Sequence, residues 1–379
     1  MAKGAQMEPG YDLPAMIGMT EAEVQTPALI LDLDALEANI ALMAAEARSM
    51  GVALRPHAKM HKSADIALMQ IAAGAVGICC QKVSEAEALV RAGVGDVLIS
   101  NEVRDGVKLA RLARLAGRAR VAVCVDDAGG VAELAAAVAE AGTELRVLVE
   151  VDVGAARCGV APGGAAVPLA QAILAAPGLS FGGLQAYHGG AQHLRSDAER
   201  AAATAAVVGK VRETLAALKA AGIAVPCVSG AGTGSFRHEG ASGVYTEMQC
   251  GSYAFMDADY GRNLDAGGAM ASPFRNAMFV LAGVMSKTKP GHAVCDAGLK
   301  VMTMESGLPV SAREGVVYAG ASDEHGTLAD PGDVLRPGDR LRLIPGHCDP
   351  TVNLHDWYVG LRGGVVECLW PVTARGKHF

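Results

Sequence analysis

RVAVCVDDAGGVAELAAAVAEAGTELRVLVEVDVG, residues Arg120–Gly154, is the stretch on which the fold turns. It opens with a valine-rich run, RVAVCVDD, that reads as a strand. VAELAAAVAEAG follows with apolar residues at helical spacing. That helix closes on Gly142, a residue suited to a left-handed C-cap. LRVLVEVDVG is again strand-like. The unit recurs on both sides: VALRPHAK, VGICCQKV and DVLISNEV precede it, and FGGLQAYHG and CVSGAGTGS follow. Helical segments lie between, including the long ERAAATAAVVGKVRETLAALKAAG, which closes at Gly222. Regular alternation of strand and helix implies a parallel sheet, either doubly wound or closed into a barrel. The barrel is favoured. The residues suited to chemistry fall at the C-terminal ends of successive strands, where a (β/α)8 barrel assembles its site. A doubly wound sheet would more often gather them at one switch point.

After Ser272 the pattern changes. FVLAGVMSK, HAVCDAG, RLRLIPGH, WYVGLRGG and GVVECLWPV are strand-like, and turn signals such as KPGH, RPGD and LRGG separate them without a long helix. The expected division is a barrel over residues 27–271 and an antiparallel β domain over 272–379, together with 1–26. The early run Pro27–Asp32 (PALILD) could pair into either. Composition excludes several function classes. The net charge of −7 comes with no basic stripe, which argues against a nucleic-acid partner. No apolar run approaches a membrane span, and MAKGAQMEPGYDLPAM lacks a signal-peptide core. The nine cysteines show no paired zinc spacing, and their odd number argues against a secreted disulfide framework, so a cytoplasmic location is expected.

RPHAKMHKS, Arg55–Ser63, is densely basic at the end of the first such strand. Extended, it would point Arg55, His57 and Lys59 one way. A lone lysine at a strand end is ordinarily just solvated. Gln81, Arg157, Tyr187, His188 and His193 occupy later strand ends, and SGAGTGS (Ser229–Ser235) follows another. Such a loop can wrap its N–H groups around a phosphate, with Thr233 and Ser235 hydroxyls adding bonds, or it can be a tight turn that needs positive φ. A lysine and a phosphate-type loop at one barrel mouth together point to pyridoxal phosphate. A second signal lies in IPGHCDPTVNLHDWY. An extended backbone there would put His347 and Asp349 on one face with Cys348 turned away. One imidazole and one carboxylate suit Mn²⁺, Mg²⁺ or Co²⁺ with waters completing the shell. The plainer reading is an Asx turn at Asp349–Pro350 beside a hydrogen-bonded loop histidine.

Taken together, RPHAKMHKS, CCQKVSEAE, QAYHG, GAGTGS, YTEMQCGSYAFMDADYG and PGHCDPTVNLHDWYVG resemble the D-threonine aldolase family. Those are fold-type III pyridoxal phosphate enzymes with an alanine-racemase-like barrel and a C-terminal β domain. The likeness runs from Thr26–Pro27 to Arg375–Gly376, and within the family GYDLPAM, HDWYVG and WPVTARGK look most similar to the 3-hydroxyaspartate aldolases. The resemblance implies that Lys59 is the Schiff-base lysine and that Arg157 faces the pyridine nitrogen, keeping it unprotonated. Gln81 and Tyr187 would line the cofactor, and Gly232, Thr233, Gly251, Ser252 and Tyr253 would cradle its phosphate. His347 and Asp349 would hold a divalent ion, with His193 near it and the substrate hydroxyl. Related D-serine dehydratases carry His-x-Cys and bind zinc; His-x-Asp favours an aldolase and a harder ion, Mn²⁺ or Mg²⁺ before Co²⁺. Ala231 stands where a glycine would be expected, which matters only if that site needs positive φ.

The implied activity is retro-aldol cleavage of a small-molecule 3-hydroxy-D-amino acid. 3-Hydroxyaspartate would give glycine and glyoxylate, and D-threonine would give glycine and acetaldehyde. A racemase or an ammonia-releasing dehydratase could use the same barrel. A non-catalytic pyridoxal phosphate carrier is the alternative of another class; the β domain and the His347–Asp349 pair argue against it. Resemblance also implies a homodimer. Arg55, Lys62 and Arg262 are the candidates for reading a second substrate carboxylate.

Overall fold

Two sheets carry the chain in a computed structural model, which describes residues 7–379. Strand β1 (Ala28–Asp32) leads directly into α1 (Leu33–Ser49). Asp32 ends the strand and starts the helix, its Oδ1 accepting from Ala35 N at 2.9 Å as an N-cap. The repeating region follows as β2 (Ala53–Leu54), α2 (Ala64–Ala72), β3 (Ile78–Cys80), α3 (Val83–Arg91), β4 (Asp96–Glu102) and α4 (Gly106–Ala116). It continues through β5 (Arg120–Val125), α5 (Ala128–Ala141), β6 (Leu145–Glu150), α6 (Ala166–Ala175) and β7 (Leu179–Ala186). The last members are α7 (Asp197–Ala220), β8 (Val228–Gly230), α8 (Phe236–Gly240) and β9 (Glu247–Met248). Gly142 caps α5 at φ +63°, the conformation anticipated from sequence.

The eight strands β2–β9 are parallel, in the order β2-β9-β8-β7-β6-β5-β4-β3. Backbone bonds join the two end strands: Val76 N donates to Leu54 O at 2.9 Å, Cys79 N to Pro56 O at 2.8 Å, and Ala58 N to Cys79 O at 2.7 Å. The ring is thereby closed, as expected of a (β/α)8 barrel. Alternation along the strands sorts the side chains. Cys79, Leu98, Ala122, Cys124 and Leu148 form one buried cluster, while Val97, Ile99, Val123, Val147 and Val149 belong to the larger cluster shared with the helices.

Arg55 is buried within this barrel. Its Nη1 bonds Asp96 at the start of β4 at 2.7 Å, and its Nε bonds Glu247 at the start of β9 at 2.9 Å. Lys62 is also buried, with Nζ 3.1 Å from Glu85 Oε1. Both are committed to structural ion pairs and are not free to read a substrate.

The second sheet runs β13-β14-β11-β10-β1-β16-β17, with β15 pairing β10 and β12. Its later members are β10 (Met278–Lys289), β11 (Gly291–Cys295), β12 (Val310–Ser311), β13 (Val317–Ala321), β14 (Gly326–Asp330), β15 (Arg340–Ile344), β16 (Trp357–Arg362) and β17 (Val365–Pro371). Between β15 and β16 lies a single-turn helix, α9 (Cys348–Val352). β1 pairs antiparallel to β10 and parallel to β16, so the run that sequence left open joins this sheet. One hydrophobic cluster spans both parts, joining Leu36 and Met43 of α1 to Phe255 and to Val280 and Leu343 of the second sheet. No helix of the described residues is long and apolar enough to cross a membrane.

Candidate active site

A cavity of about 130 Å³ opens at the C-terminal ends of the barrel strands. Lys59 is in its wall. The extended path expected for Arg55–Lys59 stops at His57, where the chain bridges to Cys79; residues 58–61 form a turn. That turn carries Lys59 to Asp349, and its Nζ pairs with Asp349 Oδ2. Burial disfavours the ammonium, but the Asp349 carboxylate and then Tyr187 outweigh it, so the Lys59 pKa is raised. Burial likewise opposes the Asp349 charge, and Lys59 followed by His347 reverses that, drawing the carboxyl down to about 2.

His347 and Asp349 do not lie on an extended backbone. His347 is the N-cap of α9, and Asp349 sits in its first turn, where a carboxylate faces the positive end of the peptide dipoles. Pro350 is tolerated there because a first-turn N–H has no helical partner. The two side chains still converge, with His347 Nε2 3.7 Å from Asp349 Oδ1. Cys348 turns inward as expected, fully buried, its N–H donating to Asp257 Oδ2 at 3.0 Å. Glu305, which sequence did not single out, holds His347 from the other side, 2.6 Å from Nδ1.

The glycine loop following β8, with Gly251 and Ser252, forms the far wall. Ala231 has φ +66°, so the position does need the left-handed conformation, and an alanine adopts it under strain. A Cβ on Gly232 would come within 2.4 Å of Gln192 Oε1, and one on Gly251 within 3.0 Å of His57 O. Thr233 Oγ1 accepts from Tyr253 N at 3.0 Å. Gly232, Thr233, Gly251 and Ser252 all line the cavity. Tyr253 does not line it: its N–H is taken up by Thr233, its ring is buried against Phe274, and its hydroxyl accepts from Gln70 Nε2 at 3.0 Å.

Gln81, Arg157 and Tyr187 complete the lining. The Arg157 guanidinium lies 6.0 Å from the Tyr187 ring centroid, and its Nη2 is 3.6 Å from Glu150 Oε1. His57, missed by the sequence reading as a wall residue, is fully enclosed, 2.9 Å from Gln81 Nε2. Burial and then the Lys59 charge hold its pKa well below the usual histidine value, so it is neutral. His193 is set back from the cavity, its ring 5.8 Å from that of Tyr260, which does line it. Asp259, also missed, is buried and accepts at 2.5 Å from both His193 Nδ1 and Arg195 Nη2, and at 3.0 Å from Arg262 Nη2. Both aspartates stood in the quoted MDADYG without any spacing to mark them. Arg262 is half exposed, the only one of the three candidate cations left at the surface.

The donor set suits a phosphorylated aldehyde. It offers one amine, a hydroxyl-bearing cradle too tight for side chains, and a guanidinium across the cavity. It also suits a divalent ion beside Lys59, with His347 and Asp349 as two ligands.

Residues 31–259 match the family described as alanine racemase, N-terminal domain, and 277–361 match a serine dehydratase domain. A 3-hydroxy-D-aspartate aldolase from Paracoccus denitrificans (strain Pd 1222) is 54% identical over 377 residues, covering 98% of this chain and 97% of its own. The crystal structure of D-threonine aldolase from Filomicrobium marinum superimposes with a TM-score of 0.94 at 52% identity, covering 97% of this chain and 100% of that one. The chain belongs to the D-threonine and 3-hydroxy-D-aspartate aldolase family. A D-threo-3-hydroxyaspartate dehydratase from Delftia sp. (strain HT23) is more distant from this chain, 31% identical over 86% of this chain and 92% of its own. The alanine-racemase-like fold and membership among the lyases follow, and pyridoxal phosphate is the cofactor expected of such an aldolase.

Proposed function

We propose that this protein cleaves 3-hydroxy-D-amino acids by a retro-aldol reaction, with pyridoxal phosphate on Lys59 and Mn²⁺ or Mg²⁺ at His347 and Asp349. The convergence of Lys59, Asp349 and His347 carries this reading: an amine suited to the cofactor and a ligand pair suited to a metal meet at one carboxylate. When bound, the cofactor supplies an electron sink for Cα–Cβ cleavage, and the ion supplies a Lewis acid at the 3-hydroxyl.

The chain's residues do the rest. Asp349 keeps the Lys59 side chain ordered at the cavity wall. Arg157 presents a cation that does not give up its proton, and it would leave a pyridine nitrogen set against it without one. Gly232, Thr233, Gly251 and Ser252 would hold the phosphate, with the Tyr253 N–H fixing the Thr233 hydroxyl, and Gln81 and Tyr187 would flank the cofactor. Asp259 fixes His193 Nδ1 as the N–H nitrogen, which leaves Nε2 to accept the 3-hydroxyl proton as general base. The leaving aldehyde is glyoxylate from 3-hydroxyaspartate and acetaldehyde from D-threonine; glycine is the common product. 3-Hydroxy-D-aspartate is the preferred substrate in this reading, and a homodimer the working assembly.

The experiment is a product assay on 3-hydroxy-D-aspartate and D-threonine, each with Mn²⁺ and with EDTA. Glycine formed only with metal supports the aldolase, and the ratio of rates ranks the substrates. Ammonia with a keto acid would replace this reading by the dehydratase. No turnover with cofactor bound would favour a carrier.

A further inference from the structure

We propose a second divalent-cation site on the barrel rim, formed by Glu102, Asp126 and Cys158 with Glu150 behind them, that takes a zinc-class ion. The proposal does not depend on the aldolase reading. Glu102 ends β4, Asp126 follows β5, Glu150 ends β6, and Cys158 lies on the loop beyond β6. Three adjacent parallel strands thus deliver acidic groups to one place, and the loop brings a thiol. One ligand atom from each of Glu102, Asp126 and Cys158 lies within 4.8 Å of the others.

An acidic group of this kind would by itself be a solvated edge. Burial makes the difference. Glu150 is only 4% exposed, and its Oε2 has no hydrogen-bond partner among the described residues. It is turned toward the Glu102 carboxylate, whose Oε1 is also buried and without a partner among those residues. Two carboxylates facing each other away from water leave unmet acceptors that only a shared proton or a cation can satisfy. The neighbouring cation, Arg157, stands 3.6 Å from the other oxygen, Glu150 Oε1. Carboxylate oxygens combined with one thiolate favour Zn²⁺ over Mg²⁺ or Ca²⁺.

The backbone already holds the ligands close. Val151 and Val160 bridge the base of the loop, and Gly159 N donates to Asp126 Oδ2 at 3.1 Å, drawing the loop onto the end of β5. Cys158 directly follows Arg157. An ion bound here would fasten the segment that presents Arg157 to the cavity, a structural role with no step in the reaction.

The test uses the full-length His347→Ala protein, in which the other site has lost a ligand. Zinc retained after dialysis would be counted and its neighbours read by zinc-edge X-ray absorption. One retained equivalent with a sulfur neighbour is expected. Cys158→Ser or Asp126→Asn in that background should weaken zinc binding by at least about tenfold. Cys348→Ser should leave it unchanged, which separates this thiol from the one beside His347. Circular dichroism melts would establish that each variant folds. No zinc retained by His347→Ala, pointing to a shared proton between Glu102 and Glu150, would overturn the proposal. So would zinc held equally well by the Cys158→Ser and Asp126→Asn variants.

Discussion

Asp259 Oδ2 meets His193 Nδ1 at 2.5 Å from a buried position, while Oδ1 of the same carboxylate accepts from Arg195 and Arg262. Burial opposes the Asp259 charge, but the Arg195 and His193 hydrogen bonds overcome it, so the carboxyl pKa is lowered and the group stays ionised. An ionised acceptor fixes both the tautomer and the ring orientation of His193. Asp259→Asn should therefore reduce kcat by about 10- to 100-fold while KM changes little. Steady-state kinetics on 3-hydroxy-D-aspartate would measure this. A rise in KM at constant kcat would move Asp259 from orienting the base to binding substrate.

Lys59→Ala should leave the protein unable to hold pyridoxal phosphate covalently, because among the described residues the cavity wall offers no other amine. The visible absorbance of the cofactor should disappear after gel filtration. A retained band would show that another lysine carries it.

Asp349→Ala removes the largest of the influences that keep the Lys59 pKa up, and burial is then opposed only by the weaker effects of Tyr187 and Cys348. The Lys59 pKa should fall, so cofactor capture, which needs the neutral amine, should extend to lower pH than in the parent. The same variant should lose its response to Mn²⁺. Comparison with His347→Ala separates the two effects, since His347 does not touch Lys59 and its loss should impair only the metal response. Cofactor uptake across a pH series, with and without Mn²⁺, would check both.

Much of the barrel was legible because strand-helix alternation and glycine caps are local signals: Gly142 adopts the left-handed C-cap that its place in the sequence implied. β12, β13 and β14 escaped notice because VS, VYAGA and GTLAD are short and carry little apolar alternation. Site residues fared according to how they act. Lys59, Arg157 and Thr233 lie at strand ends and face the cavity, so position along the chain sufficed. Tyr253 shows the limit, since the motif marked the residue but its ring and hydroxyl are turned away from the cavity and only its N–H reaches Thr233. Asp259 and Glu305 bond histidines 66 and 42 residues away in sequence, and no periodicity connects them. Arg55 and Lys62 looked free for substrate because their partners, Glu247 and Glu85, are known only once the barrel is closed.

Glu239 in α8 offers a test that is independent of catalysis. It is almost wholly buried, and its Oε2 has no partner among the described residues. Burial, only partly offset by the Ser235 hydroxyl, raises its pKa from 4.5 to about 7. The folded state therefore holds this proton more tightly than the unfolded chain does. Its stabilising contribution is fully present below pH 4.5 and declines until the pH has passed 7. The difference amounts to roughly 3 kcal/mol at mildly alkaline pH. Glu239→Gln keeps the shape and removes the charge. The variant should match the parent in thermal stability near the low end of that window and melt several degrees higher above its upper end. Melting curves of both proteins across the window would decide it, and a constant gap at every pH would mean that the carboxyl does not titrate with the fold.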